Sequence, residues 1–108
     1  MSLTVEHNGK QWEVDSQGYR IDCAVTPDED WYDYVRIKEG MRDLTSEHRK
    51  ILEYFQEYYR KNGALGPQLK ELKKGLNKSL REIYELFPRG PTTVRIMAGF
   101  PSPMGGVI

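Results

Sequence analysis

The side chains that could carry out chemistry are few in this chain. Cys23 is the only cysteine, and His7 and His48 are the only histidines. A single thiol forms no internal disulfide, and these three residues do not supply the usual ligand set of a structural zinc site. The sequence also contains no G-x-S-x-G, Walker or H-E-x-x-H motif. We therefore expect no metal, no cofactor and no catalytic residue of a known hydrolase or transferase type.

Three further features could be given a chemical role, but each has a simpler structural explanation. The carboxylates at Asp28, Glu29, Asp30 and Asp33 could form a metal or acid/base cluster, but acidic residues are favoured at the start of a helix in any case. His48, in the first turn of another expected helix, is interpreted as part of its capping region. The aromatic residues Tyr54, Phe55, Tyr58 and Tyr59 could stack on nucleobases. However, Phe55, Tyr58 and Tyr59 share the helix face that is expected to form the core.

The charge distribution is the most uneven feature of the sequence. Residues 1–59 hold 7 Lys or Arg and 13 Asp or Glu, whereas residues 60–108 hold 9 and 3. This asymmetry could steer an anionic partner to the second half of the chain. The alternative is a solvated helix face. The positive charge concentrates in what we call the basic stretch, namely Arg60, Lys61, Lys70, Lys73, Lys74, Lys78 and Arg81.

The first element that could position these groups is an N-terminal β-hairpin. Asn8-Gly9 separates two short apolar and polar alternations, and this dipeptide tolerates the positive φ angles of a type I′ turn. We place the hairpin within residues 3–21, with Tyr19 and Ile21 on a candidate third strand. Trp12 lies on the apolar face of the hairpin. An isolated two-stranded hairpin is marginally stable in water at best. The hairpin must therefore pack on helices.

Helical periodicity and capping residues predict four or five helices within residues 28–98. Asp28 caps the first, which ends near Gly40, and Thr45 caps the second, which ends at Gly63. The apolar positions of the second helix are Ile51, Leu52, Phe55, Tyr58 and Tyr59.

The last three predicted helices are short. The third begins near Pro67 and ends near Gly75, and the fourth begins after Ser79, which forms a capping box with Glu82. The fifth runs from Gly90-Pro91 to Ala98. The residues that the fourth helix is expected to bury are Leu80, Ile83, Tyr84 and Phe87. The predicted fold is α+β and mainly helical, with residues 1–98 as one domain.

The third and fourth helices have lengths compatible with a helix-turn-helix pair, and the basic stretch covers both. A DNA-binding regulator is therefore one candidate function. The fourth helix uses much of its surface for the core in this prediction, which leaves Lys78 and Arg81 for weak contacts to phosphate.

Residues 99–108 are predicted to form an extended arm, because prolines and glycines exclude regular structure there. An apolar arm that docks into a partner's groove explains this composition, since prolines reduce the entropy lost on binding. An arm that folds back on its own domain, or frays, is the alternative. The expected partner-binding residues are Phe100, Pro101, Pro103, Met104, Gly105, Gly106, Val107 and Ile108.

Three groups of residues resemble one known family over essentially the whole chain. They are Leu44-Thr45-Ser46-Glu47-His48 with Tyr58-Tyr59, then Tyr84-Glu85-Leu86-Phe87-Pro88-Arg89-Gly90-Pro91, then Ala98-Gly99-Phe100-Pro101-Ser102-Pro103. In this order they are similar to the DsrC/TusE family, which includes the gamma subunit of dissimilatory sulfite reductase. The family's fold agrees with the organisation predicted above.

The resemblance implies a small sulfur-relay protein, whose partner is sulfite reductase or another sulfur-transfer protein. Family members carry sulfur on a cysteine near the end of a flexible arm, and many have a second cysteine upstream. Here Gly106 occupies the carrier position, and Val94 or Arg95 occupies the second. Because persulfide chemistry needs a thiolate, we expect a non-catalytic, partner-binding or regulatory homologue. A sulfur-relay protein and a DNA-binding regulator remain the alternatives.

The expected location is the cytoplasm. No apolar run approaches the roughly 20 residues of a membrane helix, and the first residues lack the features of a signal peptide.

Overall fold

A β-hairpin and five α-helices form the part of the chain that the computed structural model describes, which is residues 3–21, 27–62 and 69–100 without the side chains of 62 and 69–71. The helices are α1 (Glu29–Lys38), α2 (Ser46–Asn62), α3 (Leu69–Leu76), α4 (Leu80–Leu86) and α5 (Pro91–Met97). The predicted class, α+β and mainly helical, is confirmed. None of the described helices is long and apolar enough to cross a membrane.

The hairpin pairs β1 (Leu3–His7) with β2 (Lys10–Val14) in antiparallel register. Asn8 and Gly9 connect the strands with φ angles of 51° and 78°, which are the angles that a type I′ turn requires. The candidate third strand at Tyr19 and Ile21 is wrong, because Val14 and Arg20 make only an isolated bridge. Residues 15–18 form a tight turn, and after it Tyr19 and Ile21 make backbone hydrogen bonds with Asp15 and Glu13, respectively. In this turn the Asp15 carboxylate accepts the N–H of Tyr19 at 3.0 Å.

Capping residues set the first two helices as expected. The Asp28 carboxylate accepts the N–H of Trp31 at 3.0 Å and begins α1. At the start of α2, the Thr45 hydroxyl accepts the N–H of His48 at 3.4 Å. Gly63, the predicted stop of α2, lies outside the described residues, although the helix does end at Asn62.

His48 joins the start of α2 to the end of α4. Its Nδ1 accepts the backbone N–H of Thr45 at 3.0 Å, so in the neutral ring Nε2 carries the proton and donates it to the carbonyl of Leu86 at 2.9 Å. The ring also meets Phe87 edge-on, with ring centroids 5.1 Å apart. The structural interpretation of His48 is therefore confirmed.

The predicted end of α3, near Gly75, is correct to within one residue. The helix continues to Leu76 and stops before Asn77, which has a φ of 55°. Gly75 lies inside the helix, where a Cβ atom would run into the ring of Tyr54. The glycine thus permits close packing of α3 on α2 rather than a chain reversal. Pro67, the predicted start, lies outside the described residues.

The capping box of α4 is confirmed, since the Ser79 hydroxyl and the Glu82 carboxylate each bind the other's backbone N–H. The expected burial of Leu80 and Tyr84 is wrong, because these side chains are 37% and 52% exposed. The core side chains Ile83 and Phe87 are one helical turn apart. A helix of only seven residues therefore reaches the core along one narrow stripe, and Leu80 and Tyr84 flank it.

The core surrounds α5, whose residues from Thr93 to Met97 are all buried. Trp31 of α1 is fully buried, and its indole N–H donates to the carbonyl of Ile96 at 3.0 Å. Trp12 of the hairpin packs edge-on against Trp31 with ring centroids 5.2 Å apart. Trp12 itself is only partly buried. The other fully buried large side chains include Ile51, Leu52, Phe55, Ile83, Phe87 and Met97.

Candidate partner-docking site

The chain leaves the described domain at Gly99 and Phe100, which we call the exit. The N–H of Gly99 donates to the carbonyl of Ile96 at 3.1 Å, and that of Phe100 donates to the carbonyl of Arg95 at 3.0 Å. These two bonds form a Schellman motif, which ends α5 and reverses the chain. Gly99 has a φ of 85°, and a Cβ atom there would lie 2.6 Å from Cγ of Pro27. Only glycine fits both conditions.

Phe100 belongs to the core, which corrects the expectation that it forms part of an exposed arm. Its side chain is 4% exposed, and its ring stacks on Tyr59 of α2 with centroids 4.9 Å apart. The Schellman motif explains this position, because the residue after the left-handed glycine is turned back towards the helix that it follows. The arm therefore begins no earlier than Pro101.

The remaining residues of the expected arm, 101–108, lie outside the described residues. Their role in binding a partner stays a prediction for Pro101, Pro103, Met104, Gly105, Gly106, Val107 and Ile108. Cys23 also lies outside the described residues.

Polar contacts from two other helices hold the end of α5. Gln56 of α2 donates from its side-chain amide to the hydroxyl of Tyr32 at 2.9 Å and to the carbonyl of Ala98 at 3.4 Å. The indole N–H of Trp31 on α1 donates a hydrogen bond to the carbonyl of Ile96. Burial raises the pKa of the Tyr32 hydroxyl, and the bond from Gln56 partly opposes this shift. The exit is thus tied to both α1 and α2.

Val94 and Arg95, one of which the sequence predicts at the position of the family's second cysteine, are both buried in α5. Val94 is fully buried and Arg95 is 7% exposed. Burial lowers the pKa of the Arg95 guanidinium, whereas Tyr19 raises it. Arg95 is therefore a buried residue of α5 that lies close in sequence to the exit.

Carboxylates from outside the basic stretch partly neutralise it. The ammonium of Lys78 lies 2.7 Å from the carboxylate of Glu47 on α2 and 3.8 Å from that of Glu82. The hydrogen bond from Lys78 is the main reason that the pKa of Glu47 is lowered. Arg60 pairs with Glu57 at 2.6 Å. The stretch therefore carries less net charge than its sequence indicates.

The other members of the basic stretch differ in their surroundings. Lys61 lies 3.8 Å from Glu57, and Arg81 lies 4.0 Å from Glu85. Lys73 and Lys74 are exposed at the end of α3, and no ion pair of theirs is present among the described side chains. The side chain of Lys70 is outside the description. Lys73 and Lys74 are therefore the part of the stretch that remains open to an anionic partner.

The acidic residues at the start of α1 are structural, as expected. Asp28 and Asp30 lie 2.7 and 2.9 Å from the ammonium of Lys10 on β2. Their hydrogen bonds raise the pKa of Lys10 to about 12. The other two carboxylates are also paired, Glu29 with Arg49 and Asp33 with both Arg36 and His7. Within the described residues, no group of three or more His, Cys, Asp or Glu could hold a metal ion.

The contacts that hold the exit could not be predicted from the sequence. They come from Trp31, Gln56 and Tyr59. Tyr59 was assigned to the core on helical spacing alone, and no local pattern links it to Phe100. The Gly99-Phe100 pair in the family motif could have indicated this contact. A glycine followed by a large apolar residue at the end of a helix is typical of a Schellman motif.

Comparisons with known proteins agree with this arrangement. The family model described as "DsrC like protein" matches residues 6–107. The gamma subunit of dissimilatory-type sulfite reductase from Nitratidesulfovibrio vulgaris is 41% identical over 106 residues, which is 95% of this chain and 97% of that protein.

Solved structures of the same type superpose closely on the fold. The crystal structure of dissimilatory sulfite reductase I contains a chain with a TM-score of 0.87 and 37% identity, covering 97% of this chain and 100% of that one. The oxidized gamma subunit (DsrC) from Archaeoglobus fulgidus gives a TM-score of 0.78 at 32% identity, with the same coverage.

Proposed function

Because this chain belongs to the family of DsrC-like proteins, we propose that it is a partner-binding protein of sulfur metabolism that does not itself carry sulfur. The observation behind the second half of this proposal is the cysteine content. Cys23 is the only cysteine, and the resemblance puts Gly106 at the position of the carrier. A glycine has no thiol to form a persulfide or a disulfide.

The proposed partner is a sulfite reductase or a sulfur-transfer protein. The relative from Nitratidesulfovibrio vulgaris is a subunit of sulfite reductase, and a subunit by definition contacts other chains. The sequence match covers 97% of that relative, and the solved structures named above share this fold, so the surfaces available for such a contact have the same framework. Binding without sulfur transfer would make this protein a regulatory homologue that occupies the partner's site.

Residues 101–108 are the proposed docking segment. They contain Met104, Val107 and Ile108, whose burial in a partner would favour association. The buried ring of Phe100 supports this proposal, because it gives the segment a fixed base on the domain. The exposed Lys73 and Lys74 would add steering towards an anionic surface.

DNA binding is not favoured. Lys78, which the helix-turn-helix interpretation assigned to phosphate, already pairs with Glu47 and Glu82. Glu57 holds both Arg60 and Lys61. A phosphate contact from any of these three cations would have to compete with a carboxylate already in place.

A binding measurement with purified partners tests the proposal. We expect the catalytic subunits of a dissimilatory sulfite reductase, or else a sulfur-transferase from the same source, to bind the wild-type protein and Gly106→Cys with affinities within about threefold of each other. This small factor corresponds to less than about 1 kcal/mol. A 20-base-pair DNA duplex serves as the competing ligand.

Binding of Gly106→Cys alone would show that docking requires the thiol and would overturn the proposal. Tight binding of the duplex, with no binding of either protein, would favour the DNA-binding regulator.

A further inference from the structure

Two side chains of α2 contact the chain at or next to the exit: Gln56 at the carbonyl of Ala98, and Tyr59 at the ring of Phe100. We propose that Tyr59 and Gln56 are positioning residues that fix the direction in which residues 101–108 leave the domain, and so set the affinity of docking. This inference rests on the proposed function, because it assumes that residues 101–108 bind the partner. It adds the residues that prepare this segment for binding.

Backbone hydrogen bonds alone hold the chain only as far as the N–H of Phe100. Beyond that atom, the ring of Phe100 is the last point of attachment among the described residues. It stacks on the ring of Tyr59 at a centroid distance of 4.9 Å and an interplanar angle of 29°. Aromatic pairs favour this distance range, so the stack restricts rotation of the backbone that leads to Pro101.

Gln56 holds the C-terminal end of α5 through hydrogen bonds. Its amide group donates at once to the hydroxyl of Tyr32 on α1 and to the carbonyl of Ala98. The carbonyl of Ala98 belongs to the last turn of α5, where no further helical turn supplies a donor. Gln56 and Tyr59 are three residues apart on α2, so both side chains come from the same face of one helix.

Pro27 packs against Gly99 at the exit. Its Cγ lies 2.6 Å from the position that a Cβ on residue 99 would take. Gly99 is thus in contact with Pro27, and Phe100 with Tyr59. Pro101, the next residue, further disfavours a helical backbone at Phe100. A segment that leaves a domain in one direction loses less entropy on binding than one that samples many directions.

Tyr59 is suited to this task because it is not essential to the core. The fully or almost fully buried residues of α2 are Ile51, Leu52 and Phe55, whereas Tyr59 is only partly buried against them. Loss of its ring would release the exit without opening the centre of the domain. The effect on binding should therefore exceed the effect on stability.

Three variants separate these effects: Tyr59→Phe keeps the ring, Tyr59→Leu keeps apolar volume without the ring, and Gln56→Leu removes the amide. In a Cys23→Ser background, spin labels on Ser46→Cys and Ser102→Cys report the distance between α2 and the start of the segment. We expect Tyr59→Leu and Gln56→Leu to broaden this distance distribution and weaken partner binding about 3- to 10-fold. Tyr59→Phe should match the wild type in both.

An unchanged distance distribution in Tyr59→Leu would overturn the inference, whatever the partner does. A broader distribution with unchanged partner affinity would also overturn it, because the direction of the segment would then not set docking. If the wild type binds no partner, the proposed function fails while the distance measurement still decides whether Tyr59 and Gln56 hold the exit. Melting temperatures of all three variants show whether the domain is intact.

Discussion

Deletion of residues 101–108 should weaken partner binding by about 100-fold or more and leave the fold nearly unchanged. A loss of this size corresponds to about 2.7 kcal/mol, which a few buried apolar anchors can supply. The fold should persist because the variant keeps Phe100, the residue that ends the described part of the core. We expect the melting temperature to fall by less than about 4 °C, which corresponds to less than about 1 kcal/mol in a domain of this size.

The matched control replaces residues 101–108 by eight Gly and Ser residues, which keeps the length and removes the apolar side chains. It should bind as weakly as the deletion. Wild-type affinity in either variant would place the docking surface elsewhere on the domain. Unfolding of the deletion variant would instead show that residues 101–108 strap the domain together.

The variant Trp31→Ala should lose about 3–5 kcal/mol of unfolding free energy, as large-to-small changes of buried aromatic residues do. Trp31 is fully buried, contacts Trp12 edge-on and lies under the guanidinium of Arg20 at 5.0 Å. Its N–H also holds the carbonyl of Ile96 in α5. Since domains of this kind are stable by about 5–15 kcal/mol, urea unfolding should reveal a much reduced midpoint.

Trp31→Phe separates the ring from the hydrogen bond in the same assay. It keeps an aromatic side chain and removes the N–H, so it should cost less than Trp31→Ala, about 1–3 kcal/mol for the carbonyl left without its donor. Equal losses in the two variants would mean that the hydrogen bond, and not the packing, dominates. A loss below about 1 kcal/mol in Trp31→Ala would contradict the central position of Trp31 in the core.

The elements that could be predicted from the sequence are those set by neighbouring residues. The turn at Asn8-Gly9, the cap at Asp28 and the capping box of Ser79 and Glu82 each involve residues within a few positions of each other. Such signals act through the local backbone, and no distant partner can change them easily. The bounds of the two hairpin strands and of most helices were accordingly close to those observed, whereas the candidate third strand was not.

The errors involve contacts between residues far apart in the chain. The close approach of Gly75 to the ring of Tyr54 could not be predicted, because it is invisible in the local sequence. Leu80 and Tyr84 looked like core residues because an apolar pattern does not show how many neighbours cover a short helix. Phe100 looked like part of the arm because the stacking partner, Tyr59, lies on α2.

The same limit applies to the candidate site. The family could be identified from the motifs around Phe87 and Phe100, because the residues within each motif are close to one another in sequence. The contacts that hold the exit could not, because Gln56 and Ala98 are 42 positions apart. Likewise, Glu47 neutralises Lys78 from 31 positions away, so a count of charges along the basic stretch overstates its positive field.

The central claim is that this protein docks without carrying sulfur, and mass spectrometry after incubation with a persulfide donor tests it most directly. The Cys23→Ser protein should gain no sulfur, and the wild type should show only slow modification at Cys23. Cys23→Ser combined with Gly106→Cys should gain one sulfur atom and pass it to a thiol acceptor. Stoichiometric, transferable sulfur on the wild-type protein would contradict the claim.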